Sequence, residues 1–250
     1  MAKENTHCKF SLNVLQKKEL QSNVKEILQK NQLIYLYSSA FPDSFYYTKS
    51  TIGISTKLHN GEYDYQRLID SFIENPLENR EIAFLFGLIS HLFLDLNIHP
   101  LVNNVCGKGE YCHLKLESEL DVVYSQKWKF FTFKNLSILK KQFPHYVANR
   151  FFNIEVNYKK ILSKHFYYNL AFKNAVSAVT YKTLFKNSPK VGLFYSESHI
   201  EYDEGLFLKT ITKAEDKLAE IFNITLEYIE RKINKEEYFS HFPKGCLDGF

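Results

Sequence analysis

The sequence predicts an all-α fold, with a single multi-helix domain over residues 1–250. Three observations support this prediction. Apolar residues recur in most segments at the 3.6-residue period of a helix. No segment shows the alternation of apolar and polar residues that is typical of a strand. The 250 residues suffice to bury one good core, and no repeat, linker or low-complexity stretch divides them.

The N-terminal part of the chain contains three predicted helices. Residues 10–28 and 31–40 show helical periodicity. The second of these helices is expected to end before Pro42, because the residue before a proline is disfavoured in the α region. Residues 44–61 are rich in Gly, Ser, Thr and Asn, which predicts an irregular segment. A third helix is predicted at 63–73.

The strongest helical signal lies at residues 78–98, which are apolar nearly all round. A helix of that kind is buried on every side, so we expect it to be the central helix of the fold. His99-Pro100 is predicted to end it, and the next helix is predicted at 111–124. Several helices without a pattern of ligand residues follow, and the last is a long amphipathic helix at 203–232.

Ligand-type side chains cluster on the central helix and on the helix after it. His91 and Asp95 stand four residues apart, as do His113 and Glu117, and residues at this spacing lie on one face of a helix. His99 lies a further turn along, rotated by roughly 80°. Imidazole and carboxylate ligands suit zinc, although iron or manganese would also fit.

Each pair alone has an ordinary explanation. A single histidine on an apolar helix is usually a core or surface residue, and a lone His-x-x-x-Asp motif is most often a hydrogen-bonded pair. The combination favours a metal site. A charged Asp95 in a nearly apolar helix requires a partner, because an unpaired buried carboxylate is very costly.

Two residues near these pairs allow two interpretations each. Gly87, one turn before His91, either lets another helix approach closely or has a plain packing role. Asp121, four residues beyond Glu117, either orients a metal ligand or belongs to a solvated acidic face.

The cysteines and the chain start predict a reduced, cytoplasmic protein. Residues 1–15 do not resemble a signal peptide, and the longest apolar run, 82–94, is too short to span a membrane. A non-standard export route would leave no recognisable trace. The cysteines show no Cys-x-x-Cys spacing and are expected to be thiols; they are Cys8, Cys106, Cys112 and Cys246. Cys106 and Cys112 lie beside the candidate site, which leaves a role as accessory ligands open.

The motifs resemble those of the zinc-dependent phospholipase C family, whose more distant relatives include the S1/P1 nucleases. The resemblance rests on His-x-x-x-Asp, then His-Pro, then His-x-x-x-Glu. The family also has a Thr-His near the start of its first helix, a Pro-Asp after its second and a later histidine. This chain has Thr6-His7, Pro42-Asp43 and His59. The resemblance implies an all-helical protein with a zinc cluster in a cleft between helices.

The resemblance covers about residues 5–125, whereas residues 126–250 carry no recognisable motif. It implies two or three zinc ions. One would be surrounded by Asp43, His59, His91 and Asp95. A second would be held by His99, His113 and Glu117, and a third by His7 with Asp95 as a bridge.

The chain start departs from the family pattern. In the secreted enzymes a tryptophan at the mature N-terminus completes the third zinc site, whereas six residues without a tryptophan precede His7 here. The spacing from Asp95 to His99 is also shorter than in the secreted phospholipases. The third site is therefore empty, weaker, or completed by Asn5, Thr6 or water.

These features predict a zinc-dependent phosphodiesterase of phospholipase C type, which hydrolyses phospholipids through a metal-activated water. Asp43 is expected to be a ligand and the general base, on the resemblance and its loop position after Pro42. Phe45, Tyr46 and Tyr47 are expected to line the lipid entrance. Two alternatives remain: an S1/P1-like nuclease or nucleotidase, and a non-catalytic helical protein that a metal stabilises.

The charge pattern agrees with a phospholipid or another phosphodiester as the substrate. A net charge of +4 is mild and allows transient contact with an anionic membrane surface. The sequence lacks the dense clusters of basic residues that are typical of nucleic-acid-binding proteins, so no stable nucleic-acid complex is expected. The positive residues are scattered, apart from a local cluster at 127–141.

Overall fold

Helices form the regular structure of this protein, as the sequence predicted. The computed structural model describes residues 4–47, 51–54, 64–107, 110–125, 128–152, 154–174 and 200–242. The first helices are α1 (Glu4–Val14), α2 (Ser22–Lys30), α3 (Gln32–Ala40), a 3₁₀ helix (Pro42–Tyr47), α4 (Tyr65–Ile73) and α5 (Asn79–Cys106). They are followed by α6 (Glu110–Ser125), α7 (Phe133–Gln142), α8 (His145–Phe152), α9 (Tyr158–Asn174), α10 (Glu204–Ile229) and α11 (Lys235–Ser240). No strand occurs among the residues described.

The long helix α5 is the central one. Helices α1, α2, α3, α6 and α10 all pack against it, and every residue from 81 to 95 is buried. Within the described ranges, α5 is the one helix long and apolar enough to cross a membrane, yet 83% of its most apolar window is buried inside the protein. Burial of this kind is typical of a core helix.

The prediction that His99-Pro100 ends this helix is wrong, since α5 continues to Cys106. A proline inside a helix removes one backbone hydrogen bond. Ile98 and Val102, on either side of the proline, are both buried, and we attribute the continuation to this packing. Gly107 then ends the helix with a φ of 57°, in the left-handed region that glycine adopts without strain.

The prediction of one helix at 10–28 is also wrong, because α1 and α2 are separated by a turn. The side chain of Asn223 on α10 holds this turn. It accepts a hydrogen bond from the backbone N–H of Gln21 at 2.9 Å and donates one to the carbonyl of Glu19 at 2.8 Å. Asn223 lies 202 residues beyond Gln21, so local periodicity carried no sign of the break.

Gly87 lets α3 approach α5 closely. A Cβ atom at this position would lie 2.4 Å from the carbonyl oxygen of Tyr35 and 2.5 Å from the Cβ of Ser38. Neither distance is compatible with a side chain, so of the two interpretations the close approach is the one observed. Ser39, on the same stretch of α3, contacts His91 one turn after the glycine. The missing side chain therefore brings α3 within reach of a candidate ligand.

Cys106 and Cys112 form a disulfide bond, with their Cα atoms 5.3 Å apart, so the prediction of reduced thiols is wrong for this pair. The extension of α5 to Cys106 and the start of α6 at Glu110 bring the two residues together. Their sulfur atoms are bonded to each other and are not available as thiolate ligands. Cys8 is a buried free thiol, and Cys246 lies outside the described residues. Since disulfides are more typical of oxidising compartments, the cytoplasmic location stays a prediction.

An aromatic cluster fills the space between α3, the 3₁₀ helix, α8 and α9. The ring of Phe41 lies 5.2 Å from that of Phe45, 6.0 Å from that of Phe152 and 5.4 Å from that of Tyr158. Phe45 is completely buried, so its expected place at a lipid entrance is wrong. Tyr46 is half-buried, and the side chain of Tyr47 is outside the described part.

The close contact at Gly87 generates a stability prediction. Gly87→Ala should lower the free energy of unfolding by roughly 1–3 kcal/mol, because the added methyl group overpacks the contact with α3. Thermal unfolding followed by circular dichroism measures the effect. Gly53→Ala is the matched control, since a Cβ there meets no atom within 4 Å. Equal melting temperatures for the Gly87→Ala variant and the wild type would contradict the explanation.

Candidate metal centre

His91 and Asp95 meet at the middle of α5. The Nε2 atom of His91 lies 3.3 Å from Oδ2 of Asp95, and its Nδ1 atom lies 2.9 Å from the carbonyl oxygen of Ser39. A carbonyl only accepts hydrogen bonds, so Nδ1 carries the hydrogen. In the neutral ring, Nε2 then presents a lone pair toward a carboxylate oxygen. The lone pair of Nε2 and a lone pair of the carboxylate oxygen then face each other, and this arrangement requires a proton or a cation between the two atoms.

His7 approaches the same carboxylate from α1. Its Nε2 atom lies 3.3 Å from Oδ1 of Asp95 and 3.8 Å from Oδ2 of Asp43. The rings of His7 and His91 stack with their centroids 4.2 Å apart. His7 is fully buried, and neither of its ring nitrogens has a hydrogen-bond partner of good geometry among the described residues. A buried imidazole in this condition fits a metal ligand.

Asp43 completes this group from the 3₁₀ helix that follows α3. Pro42 begins that helix, and Asp43 is buried beside His7. One ligand atom from each of His7, Asp43 and His91 lies within 4.8 Å of the other two. A single ion therefore fits among these three side chains, with the carboxylate of Asp95 in contact with both histidines.

A second group of ligand-type side chains lies where α5 faces α6. His99 Nε2 is 3.8 Å from Oδ1 of Asp95, and His113 Nδ1 is 3.3 Å from Oε1 of Glu117. The rings of His99 and His113 are 5.4 Å apart. Asp95 is thus in contact with both groups, through His7 and His91 of the first and His99 of the second.

The charges explain how a carboxylate is held in the core. Burial raises the pKa of Asp95, but the imidazoles of His91, His7 and His99 outweigh it and hold that pKa well below its usual range. Burial lowers the pKa of His7, but the carboxylates of Asp95 and Asp43 outweigh this effect, so the pKa is raised above its usual value. Burial lowers the pKa of His113 to about 4. Asp95 is therefore ionised and His113 neutral at neutral pH, the forms in which both bind metals.

The structure brings together seven of the eight predicted site residues. They are His7, Asp43, His91, Asp95, His99, His113 and Glu117. The eighth, His59, lies outside the described residues. The resemblance paired His7 only with the bridging Asp95, whereas in the structure His7 also lies beside Asp43 and His91. Which side chain binds which ion remains a prediction.

Two residues that support the ligands were missed in the sequence. The carbonyl of Ser39 fixes the ring of His91, but a backbone group leaves no signature in a sequence. The side chain of Asn103 lies 3.1 Å from Nε2 of His113 and leaves Nδ1 of that ring directed at Glu117. Asn103 belongs to the stretch of α5 beyond Pro100, where the helix was predicted to have ended.

Asp121 ties α6 to the first turn of α1. Its Oδ1 atom accepts hydrogen bonds from the backbone N–H of Thr6 at 2.7 Å and from the hydroxyl of Thr6 at 2.9 Å. The residue is buried, so the alternative of a solvated acidic face is wrong. It holds the residue next to His7, and it lies one turn beyond Glu117. The two ligand-bearing helices are therefore joined beside the cluster.

The donor set and its burial fit zinc. Imidazole nitrogens and carboxylate oxygens are ordinary zinc ligands, and the partners of His91 and His113 are of the kind that orient zinc-bound histidines. A proton is shared by only two atoms, whereas one ion can contact His7, Asp43 and His91 together.

One of the comparisons with known proteins identifies a family for this chain. The family model described as zinc dependent phospholipase C matches residues 6–237, well beyond the region that carries the motifs. Comparison with curated proteins and with solved structures finds no match. The matched family consists of zinc-dependent hydrolases, and the match covers nearly the whole chain. The protein therefore belongs to the zinc-dependent phospholipase C family.

Proposed function

We propose that the protein is a phospholipase C that hydrolyses the phosphodiester bond between the glycerol and the phosphate of a phospholipid. The observation that carries the proposal is the buried group of His7, Asp43 and His91 around Asp95, in a chain that belongs to this family. The alternative nuclease activity would use the same donor set, but nothing in the described residues favours it.

We propose that two or three zinc ions occupy the centre. His7, Asp43, His91 and Asp95 would serve one side of the cluster, together with His59. His99, His113 and Glu117 would serve the other side. When bound, zinc lowers the pKa of a water ligand toward ~7 and neutralises charge on the phosphate.

The chain's own residues prepare this chemistry. Ser39 fixes the proton of His91 on Nδ1, so that Nε2 faces the cluster. Asn103 orients His113 through the other ring nitrogen, because its Oδ1 atom lies against Nε2 and leaves Nδ1 toward Glu117. Asp43 is our candidate for the general base that takes the proton of the attacking water. It lies in the first turn of the 3₁₀ helix that follows α3, and its carboxylate lies 3.8 Å from Nε2 of His7.

The substitution Asp95→Asn tests the proposal directly. It keeps the side-chain volume but removes the charge that three imidazoles surround. Because losing a supporting partner alone costs 10–100-fold in metal affinity, we expect zinc affinity and hydrolysis to fall by at least about 100-fold. Elemental analysis measures the zinc, and a chromogenic phosphocholine ester measures the hydrolysis. Asp216→Asn, at an exposed position on α10, is the matched control.

Full activity of the Asp95→Asn variant without zinc would sink the proposal. The wild-type enzyme must also release phosphocholine from lecithin. If it cleaves single-stranded DNA and leaves lecithin intact, the nuclease alternative replaces the one proposed.

The contact between Thr6 and Asp121 generates a prediction about positioning. Asp121→Asn should lower zinc affinity by about 10-fold, the lower end of the range for groups that contact a ligand directly, because Asp121 holds the residue next to His7. The helical content should stay that of the wild type. Competition with a fluorescent zinc chelator measures the affinity, and circular dichroism measures the helices. Glu119→Gln, on the same helix, is the control. Wild-type zinc affinity in the Asp121→Asn protein would show that the contact is only structural.

The metal content separates a catalytic centre from a structural one. We expect two or three zinc ions per chain, and we expect their removal by a chelator to lower the melting temperature, because the buried carboxylates lose their counter-charge. Elemental analysis and thermal unfolding before and after chelation measure both effects. One tightly held ion with no exchangeable water would favour the non-catalytic alternative.

A further inference from the structure

Residues 128–174 carry an unusual excess of positive charge. They contain nine Lys or Arg residues and one acidic residue, Glu155. Because the net charge of the whole chain is only +4, the rest of the sequence is net negative. The positive charge is therefore concentrated in α7, α8, α9 and their connections.

Part of this charge forms one continuous surface. Lys160, Lys164 and Tyr167 stand at the spacing that places them on one face of α9, and all three are exposed. Phe133 and Lys140 stand two turns apart on α7 and are exposed too. The ring of Tyr167 lies 6.4 Å from that of Phe133, and Nζ of Lys140 lies 6.0 Å from the centroid of Tyr167. We call these five residues the basic–aromatic face.

The aromatic rings of this face are exposed to an unusual degree. Phe133 is 67% exposed and Tyr167 is 53% exposed. The two large side chains contact each other and form one exposed apolar patch with charged residues around it, a pattern found at membrane interaction sites. The lysines around it have long apolar stems, which can lie along an apolar surface while their charges reach outward.

We propose that the basic–aromatic face docks the enzyme on an anionic lipid surface, an inference that rests on the proposed phospholipid substrate. Phe133 and Tyr167 enter the headgroup layer, where aromatic rings are favoured. Lys140, Lys160 and Lys164 bind lipid phosphates. Helix α9 also packs against the 3₁₀ helix that carries Asp43. The face and the metal centre are thus joined through one helix.

The geometry favours a lipid surface over a single-stranded nucleic acid. Bases bind to proteins by stacking flat on aromatic rings. The rings of Phe133 and Tyr167 meet edge to face at 62°, so they do not form a parallel pair of stacking platforms. An interfacial layer makes no such demand on ring orientation.

The first test measures binding to vesicles. We expect the wild-type protein to sediment with vesicles of phosphatidylcholine and phosphatidylserine, and much less with phosphatidylcholine alone. The variant Lys140→Gln, Lys160→Gln, Lys164→Gln should bind the anionic vesicles about 100-fold more weakly, because each lysine near such a surface contributes roughly a factor of five. The control changes three exposed lysines elsewhere, Lys18→Gln, Lys209→Gln and Lys213→Gln.

The second test asks whether the aromatic rings enter the lipid. In the Phe133→Trp variant, tryptophan fluorescence should shift to shorter wavelength on anionic vesicles. The wild type, whose one tryptophan is Trp128, supplies the background. No blue shift beyond that background would overturn the insertion of Phe133.

Three results would overturn the docking proposal. They are equal vesicle binding by the variant and control triples, the absence of wild-type binding to anionic vesicles, and binding of single-stranded RNA that depends on the three lysines while vesicle binding does not.

Hydrolysis of a soluble short-chain phosphocholine ester should be the same in both triples. Loss of docking with retained ester hydrolysis supports the proposal. Failure of ester hydrolysis in the wild type would instead count against the proposed function.

Discussion

The carboxylate of Asp95 lies in the middle of an apolar core helix, and the arrangement of the centre depends on it. Burial disfavours the charge of Asp95, so α5 is stable around it only if positive or hydrogen-bonding groups converge there. Three imidazoles do so, and they lower its pKa. Two of them, His7 and His91, stack on each other, which removes both rings from water. A cation among these side chains satisfies the carboxylates and the ring nitrogens together.

The convergence requires backbone segments to be placed accurately, and most of that placement comes from residues that are not ligands. Gly87 allows the backbone of α3 to reach α5, and this contact puts the carbonyl of Ser39 against His91. Asp121 holds the start of α1, which sets the position of His7. The positions of the ligands therefore depend on three residues that are not ligands themselves. Gly87 permits the close helix contact, the carbonyl of Ser39 orients His91, and the carboxylate of Asp121 holds α1.

The sequence predicted what depends on local pattern and missed what depends on distant partners. The helical class, the central position of α5 and the groups at His91, Asp95, His113 and Glu117 follow from spacing along a helix. The break between α1 and α2 does not follow from local spacing, because Asn223, which holds the turn between them, comes from another part of the chain. The passage of α5 through Pro100 was missed for the same reason, since the packing around it outweighs a local rule. Because the helix was predicted to end too early, the contact of Asn103 with His113 was missed. The disulfide between Cys106 and Cys112 was missed as well.

The family match extends to residue 237, although the last candidate ligand is Glu117, and helices of the second half of the chain pack on the helix that carries His7. Interactions among charged ligands are stronger where most of the surrounding water is excluded. Helix α9 places His165 3.7 Å from Glu4, in the first turn of α1. Helix α10 places Glu215 against Asn13 at the other end of α1. Both ends of the helix that carries His7 are thus covered by helices without ligand motifs. Helix α9 thus serves two purposes with two faces, because His165 on its buried side covers α1 while Lys160 and Lys164 lie on its exposed side.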